Sequence, residues 1–114
     1  MIDLTIILPT KNSEKYIRFF LDSLKRQDYQ NFMLFVADSQ SKDKTIEIIK
    51  SYNFNLKIVS TKDRNAEEGI NNCLKLIETK FFGILMSDDV LGETNYISQL
   101  INTLNSGADI ALPN

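Results

Sequence analysis

Phe81-Phe82-Gly83-Ile84-Leu85-Met86-Ser87-Asp88-Asp89 is an apolar run that stops abruptly at two adjacent acids. A short, continuous apolar run reads as a strand buried on both faces, as in a parallel sheet. Its acidic end then falls at the carboxyl end of that strand, where open α/β sheets bind their ligands. Neighbouring carboxylates repel each other unless a cation or hydrogen-bond donors lie between them. Two readings of Asp88 and Asp89 follow. They are hard oxygen ligands of a divalent ion that bridges to a phosphate-bearing substrate, or they form an acidic turn that caps the next helix.

Outward from this stretch the chain alternates strand and helix. Leu4 to Leu8 is a β-branched run that Pro9 is expected to stop, and Ser13 opens a helix with Ile17, Phe20, Leu21 and Leu24 on one face. A second strand spans Phe32 to Ala37, followed by a polar loop from Asp38 to Asp43. Asp43 reads as the cap of a helix carrying Ile46, Ile49 and Tyr52. Leu56 to Val59 is a third strand, and a helix from Ala66 to Ile77 follows the charged loop Lys62-Asp63-Arg64-Asn65. After the Phe81 to Met86 strand, Thr94 is placed as the cap of a last helix ended by Gly107, and Ile110 to Leu112 as a short fifth strand.

Apolar strands each followed by a helix imply a three-layer α/β/α domain with a mainly parallel sheet. Right-handed crossovers bring every strand-to-helix loop to one edge. That edge collects residues 9–12, 38–43, 60–65 and 87–89 around one crevice.

Composition narrows the chemistry. The 114 residues suit one domain, 43% apolar and 25% charged, with a net charge of -2. That balance offers no general attraction to nucleic acid or to anionic lipid. Histidine is absent, which removes Ser-His and Cys-His catalysis and any His-ligated metal. The single cysteine, Cys73, cannot form an internal disulfide, and on the stripe Ile70-Cys73-Leu74-Ile77 it reads as a small buried hydrophobe. No basic leader and no bilayer-length apolar stretch occur, so a cytoplasmic location is expected. Contact with a membrane would come only through parts of the protein outside this sequence.

Several ligand classes lack their signatures. No G-x-G-x-x-G follows the first strand, and neither G-x-x-x-x-G-K-[ST] nor G-x-S-x-G occurs. A phospho-acceptor domain would place acids after the first strand, where this chain has Pro9-Thr10-Lys11-Asn12.

The remaining pattern resembles the nucleotide-sugar-binding half of family 2 glycosyltransferases, with the Rossmann-like GT-A fold. Ile6-Ile7-Leu8-Pro9-Thr10-Lys11-Asn12 is similar to the family's strand ending in Pro-Thr-x-Asn. Leu21-Asp22-Ser23-Leu24 with Gln27-Asp28-Tyr29 resembles its first helix and the turn beyond. Asp38-Ser39-Gln40-Ser41-Lys42-Asp43-Lys44-Thr45 resembles its loop Asp-x-Gly-Ser-x-Asp-Gly-Thr, with Ser39 and Gln40 replacing a second acid and a glycine. Ser60 to Asn71 is similar to a stretch with an Asp and a basic or Gly residue ahead of an Asn-bearing helix. Ser87-Asp88-Asp89 stands where the family keeps an Asp-x-Asp or Asp-Asp metal signature. The resemblance spans nearly the whole chain.

The resemblance implies roles residue by residue. Pro9, Thr10 and Asn12 would line the nucleoside end of the donor pocket, and Asp38 would lie near the base or ribose. Asp63, Arg64 and Asn71 would contact the donor, Asp88 the ribose, and Asp89 with Asp88 a Mn2+ or Mg2+ ion on the diphosphate. The residues alone also allow plainer roles: Pro9 as a strand end, Asp38 and Asp43 as turn and cap residues, Arg64 as a solvated charge, and Asn71 as a helix-face residue. The implied activity is inverting transfer from a nucleotide-diphosphate sugar, a UDP-sugar first, to a saccharide or lipid-linked acceptor in cell-surface polysaccharide or glycolipid synthesis. A general base is expected beyond Asn114, which makes the chain the donor-binding part, residues 1–114, of a longer enzyme truncated before its acceptor-binding half. A non-catalytic nucleotide-binding module and a nucleotidyltransferase-like domain are the alternatives.

Overall fold

A computed structural model describes residues 2–61 and 66–105. In chain order the elements are β1 (Leu4–Thr10), α1 (Ile17–Lys25), β2 (Phe32–Asp38), α2 (Thr45–Lys50), β3 (Leu56–Ser60), α3 (Ala66–Leu74), β4 (Phe81–Ile84) and α4 (Tyr96–Asn105). The described strands form one parallel sheet in the order β3-β2-β1-β4. The chain steps outward from β1 to β3, then crosses back to place β4 on the free side of β1. The strand order therefore reverses between β1 and β4, and their carboxyl ends open a crevice there.

Period-two alternation sends side chains to two cores. Leu4, Ile6 and Leu8 with Phe32, Leu34 and Val36 pack against Ile17, Phe20, Leu21 and Leu24 of α1, Ile48 and Ile49 of α2, and Ile97 and Ile101 of α4. Ile7, Phe35 and Ala37 face the other way, against Cys73 of α3. Helices thus cover both faces, giving the expected three layers. Burial of each large apolar side chain such as Phe20 or Leu24 contributes roughly 1.5–3 kcal/mol. Gly69 lets α3 lie close to the sheet, since a Cβ there would come within 3.2 Å of the Ala37 Cβ.

Pro9 does not stop β1, which continues to Thr10 in register with Asp38. Ser39 N–H donates to the Thr10 carbonyl at 3.0 Å, so Thr10 faces β2 and its neighbour Pro9 faces the β4 side. The β4 ladder ends at Ile7↔Ile84. Proline's missing N–H is therefore turned to a side with no ladder partner left, which a strand tolerates.

Other element ends shift for local reasons. The Ser13 carbonyl accepts the N–H groups of Tyr16 and Ile17, a turn that precedes the regular helix beginning at Ile17. α3 ends at Leu74, where Leu76 and Ile77 N–H bond back three residues and tighten the last turn. β4 ends at Ile84, although Leu85 N–H still reaches the Ile7 carbonyl at 3.0 Å. The cap position of α4 falls on Asn95, whose carbonyl accepts Gln99 N–H, rather than on Thr94. The expected helix end at Gly107 and the strand at 110–112 lie outside the described residues. No helix among those described is long and apolar enough to cross a membrane.

Candidate functional site

Thr10 and Asp38 are the last residues of neighbouring strands and stand opposite each other. Their side chains leave the same face, and Thr10 Oγ1 donates to Asp38 Oδ1 at 2.7 Å. Asp38 is only 4% exposed, so its carboxylate needs donors in place of water. Ser41 supplies two more: its N–H to Oδ2 at 2.9 Å and its Oγ–H to Oδ1 at 2.6 Å. Ser41 can double back because Gln40 takes φ 54°, in the left-handed region that favours glycine. This is the position at which the resembled motif carries glycine, so the departure keeps the loop's shape and costs backbone strain.

The loop after β1 is stitched to the loop after β2. Asn12, itself at φ 46°, donates its N–H to Ser41 Oγ at 2.8 Å, and its Oδ1 accepts Lys42 N–H at 2.7 Å. Ser13 N–H donates to Thr45 Oγ1 at 2.7 Å. Asp43 accepts Glu14 N–H through Oδ2 and Thr45 N–H through Oδ1, so it is a turn residue placed just ahead of α2. The Thr45 hydroxyl bond, ahead of the backbone N–H bonds, holds the exposed Asp43 carboxyl below its ordinary value of 3.8.

A third loop joins at the switch point. Ser13 Oγ lies 3.3 Å from Ser87 Oγ, both buried, which ties the end of β1 to the turn after β4. In that turn Asp89 N–H donates to the Met86 carbonyl at 3.0 Å, and Asp89 Oδ2 accepts Met86 N–H at 3.1 Å. Asp89 therefore closes its own turn. Asp88 and Asp89 are both exposed on it.

Thr10, Asn12 and Asp38 thus share one hydrogen-bonded network, and Asp88 and Asp89 occupy the adjacent turn. Pro9 pairs with Ala37, one step along the strand and hence on the opposite face from Thr10 and Asp38. Asn71 is exposed on α3, two residues beyond Gly69, which faces Ala37, and so lies on the side of the helix away from the sheet. Asp63 and Arg64 lie outside the described residues. Ser41, Ser13 and Ser87 were given no site role from the sequence, although Ser13 reads as a helix start and Ser41 and Ser87 fall within the quoted motifs. Short polar residues look alike in every loop, and only the register of β1 and β2 makes Ser41 the partner of Asp38. Cys73 is fully buried, and burial pushes its thiol up to about 11.

The donor set at the acidic turn fits a hard divalent ion in part. It offers two carboxylates, one with an oxygen already accepting Met86 N–H. The described residues contain no cluster of three or more acids or cysteines that could hold a metal. Since Mg2+ and Mn2+ take several oxygens, an ion here would need ligand oxygens from a substrate to complete its shell.

Comparison with known proteins identifies the family and the fold. Residues 5–114 match the family model Glycosyl transferase family 2. The poly(ribitol-phosphate) beta-N-acetylglucosaminyltransferase TarS of Staphylococcus aureus is 35% identical over 99 residues, covering 82% of this chain and 17% of that protein. A dolichyl N-acetyl-alpha-D-glucosaminyl phosphate 3-beta-D-2,3-diacetamido-2,3-dideoxy-beta-D-glucuronosyltransferase of Methanococcus voltae is 33% identical over 107 residues, covering 88% of this chain and 33% of that one. A crystal structure of S. aureus TarS 1–349 in complex with UDP-GlcNAc superposes with a TM-score of 0.83 at 30% identity, covering 91% of this chain and 31% of the other. The chain spans only 17% to 33% of the length of these two relatives. With its parallel sheet, its covering helices and these matches, the chain belongs to glycosyl transferase family 2 and has the GT-A fold.

Proposed function

We propose that this chain is the donor-binding part of an inverting, metal-dependent glycosyltransferase that takes a sugar from a nucleotide-diphosphate sugar. The observation that carries the reading is the meeting of three loops at the β1/β4 switch point, joined through Asp38–Ser41–Asn12 and Ser13–Ser87. One side of the crevice presents a buried carboxylate held by three donors, and the other an exposed acidic pair.

The two sides suit the two ends of such a donor. Asp38 is an acceptor fixed in place, matched to the N–H of a nucleobase such as uracil or to ribose hydroxyls. Asp88 and Asp89 would hold Mn2+ or Mg2+ together with the diphosphate. When bound, the ion supplies Lewis-acid neutralisation of the charge that develops on the leaving diphosphate. Asp89 orients its carboxylate through Met86 N–H, and Thr10 and Ser41 keep Asp38 from rotating. The relative TarS is named for N-acetylglucosamine transfer to poly(ribitol-phosphate), and its structure binds UDP-GlcNAc. A UDP-sugar and an acceptor in cell-surface polymer synthesis are the first choices here. Deprotonation of the acceptor hydroxyl is assigned to a carboxylate of the acceptor-binding half, beyond Asn114.

The test is thermal stabilisation of this chain by UDP, GDP and dTDP, each with and without Mn2+, beside Asp89→Asn. Saturation at one hundred times Kd adds about 2.7 kcal/mol of apparent stability. Asparagine keeps an acceptor for Met86 N–H, so the turn survives while the charge is lost. One nucleotide should stabilise in a Mn2+-dependent way and lose that dependence in the variant. Stabilisation by none of them, or a Mn2+ effect unchanged in Asp89→Asn, rejects the proposal.

A further inference from the structure

The turn ahead of α1 and the loop ahead of α2 gather lysines at one corner of the molecule. Glu14 Oε1 accepts Lys44 N–H at 3.0 Å, Glu14 N–H donates to Asp43 Oδ2 at 3.1 Å, and Lys42 N–H donates to Asn12 Oδ1 at 2.7 Å. These bonds lay residues 11–15 alongside 42–44, with Lys11, Lys15, Lys42 and Lys44 all exposed. Two acids share the corner, and each has its carboxylate held on backbone N–H groups: Glu14 on Lys44, and Asp43 on Glu14 and Thr45. Arg18 and Asp22, the next charges along α1, cancel, and the acidic turn at Asp88 and Asp89 lies beyond Ser13 on the β4 side. The corner is therefore locally cationic in a chain whose net charge is -2.

Beside these lysines α1 exposes two aromatic rings. Phe19 is 64% exposed, more than any other large apolar side chain among the described residues, and Tyr16 is 42% exposed. Phe19 N–H bonds to the Tyr16 carbonyl at 3.2 Å, so the two rings stand about one turn apart, and Lys15 is one turn before Phe19. The opposite face of the helix is taken up by the core, through Ile17, Phe20, Leu21 and Leu24. Single exposed apolar residues are normal on a protein surface. Two aromatics flanked by cations at one helix end are a more specific pattern. Aromatic rings settle at the headgroup level of a bilayer, and lysines are drawn to anionic lipid.

We infer that this corner, with Lys11, Lys15, Tyr16, Phe19, Lys42 and Lys44, is a peripheral docking surface for an anionic bilayer. The attraction is local, and it departs from the expectation that membrane contact comes only from outside this sequence. A soluble polyanion would use the lysines but gain nothing from burying Phe19, so the aromatics decide between the two partners. Lys11 and Lys42 adjoin Asn12 and Ser41 of the crevice network, so docking sets the mouth of the crevice at the bilayer surface. An acceptor carried on a lipid is within reach there. The surface stands independently of the donor-site reading, and its test uses no nucleotide.

The chain has no tryptophan, so Phe19→Trp places a single reporter at the contact. Its emission should shift to the blue on vesicles of phosphatidylcholine with phosphatidylglycerol, and stay unshifted on phosphatidylcholine alone. Co-sedimentation with the same vesicles gives affinities for wild type, Phe19→Ser and the double variant Lys42→Gln/Lys44→Gln. Phe19→Ser should weaken binding about tenfold, and the double variant about fivefold for each lysine removed. Lys57→Gln/Lys75→Gln removes the same charge from exposed positions on the α3 side of the sheet and should leave binding within about twofold. Should a serine or glutamine variant fail to fold, the tryptophan reporter still decides. No binding to the anionic vesicles, no blue shift, or an equal loss in the α3-side pair overturns the inference. Wild-type affinity in Phe19→Ser overturns it as well, and with tight binding to soluble polyphosphate would mark the corner as a polyanion site instead.

Discussion

Thr10 and Asp38, the terminal residues of two adjacent parallel strands, are joined by a 2.7 Å hydrogen bond from hydroxyl to carboxylate. The bond links fold to function. Parallel pairing sets the register, the register puts both side chains on one face, and burial makes the donor necessary. Thr10→Val keeps the shape and β-branching but removes the hydroxyl. Leaving a buried carboxylate one donor short should cost about 1–3 kcal/mol, or very roughly 4–20 °C in Tm for a chain of this size. Thr10→Ser should recover most of the loss. Urea unfolding of the three proteins reads the difference, and equal midpoints for wild type and Thr10→Val would mean that the bond is not formed in solution.

The left-handed Gln40 makes a prediction of opposite sign. Left-handed backbone costs a residue with a Cβ about 1–2 kcal/mol, whereas glycine adopts it freely at the expense of unfolded-state entropy worth about 0.4–1 kcal/mol. Gln40→Gly should therefore be stabilising by up to about 1 kcal/mol, and Gln40→Val destabilising. A urea midpoint that drops in Gln40→Gly would show that φ 54° is not the conformation held in solution.

Asp43 ties the loop after β1 to the start of α2, and the Thr45 hydroxyl bond is the main reason its carboxyl lies below 3.8. A carboxyl depressed in the folded state gives up a proton more readily there than in the unfolded chain. Its contribution is complete above the unfolded value of 3.8 and is lost as pH falls through that value to the lower folded one. Asp43→Asn keeps an acceptor but cannot titrate. The stability of wild type minus that of the variant should be constant from pH 7 to about pH 5 and shrink below about pH 4. Urea midpoints measured at steps of pH would expose a flat difference, which would contradict the assigned bonds.

Much of the architecture was legible because it depends on local apolar runs. The strands at Leu4, Phe32, Leu56 and Phe81 and the stripe Ile17-Phe20-Leu21-Leu24 announce themselves by period. Pro9 was misread because its effect depends on where β4 stops pairing, which no local window reveals. Asp38 and the acidic pair could be found as acids at strand ends. Ser41 and the Ser13–Ser87 contact could not, since a serine gives no sign of the loop it will touch.

Gln27 shows the same non-local logic at its strongest. It is 3% exposed, and its amide makes both bonds an amide can divide between two backbone groups 66 and 70 positions away. Oε1 satisfies an N–H in the first turn of α4, a role usually filled by the cap residue itself, while Nε2 holds the Glu93 carbonyl. Gln27→Leu preserves volume and leaves the Ile97 N–H buried without a partner, while the part-buried Glu93 carbonyl can turn to water, which should cost about 1–3 kcal/mol in global stability. Gln27→Glu keeps the acceptor for Ile97 N–H but turns the Glu93 contact repulsive, so it should open the 91–95 segment selectively. Amide hydrogen exchange separates the two outcomes. In Gln27→Leu the Ile97 amide should lose its protection, while in Gln27→Glu it should retain more of it as the loop before it exchanges faster. If Ile97 exchanges at the wild-type rate in both variants, α4 is capped by some other group and Gln27 does not brace it.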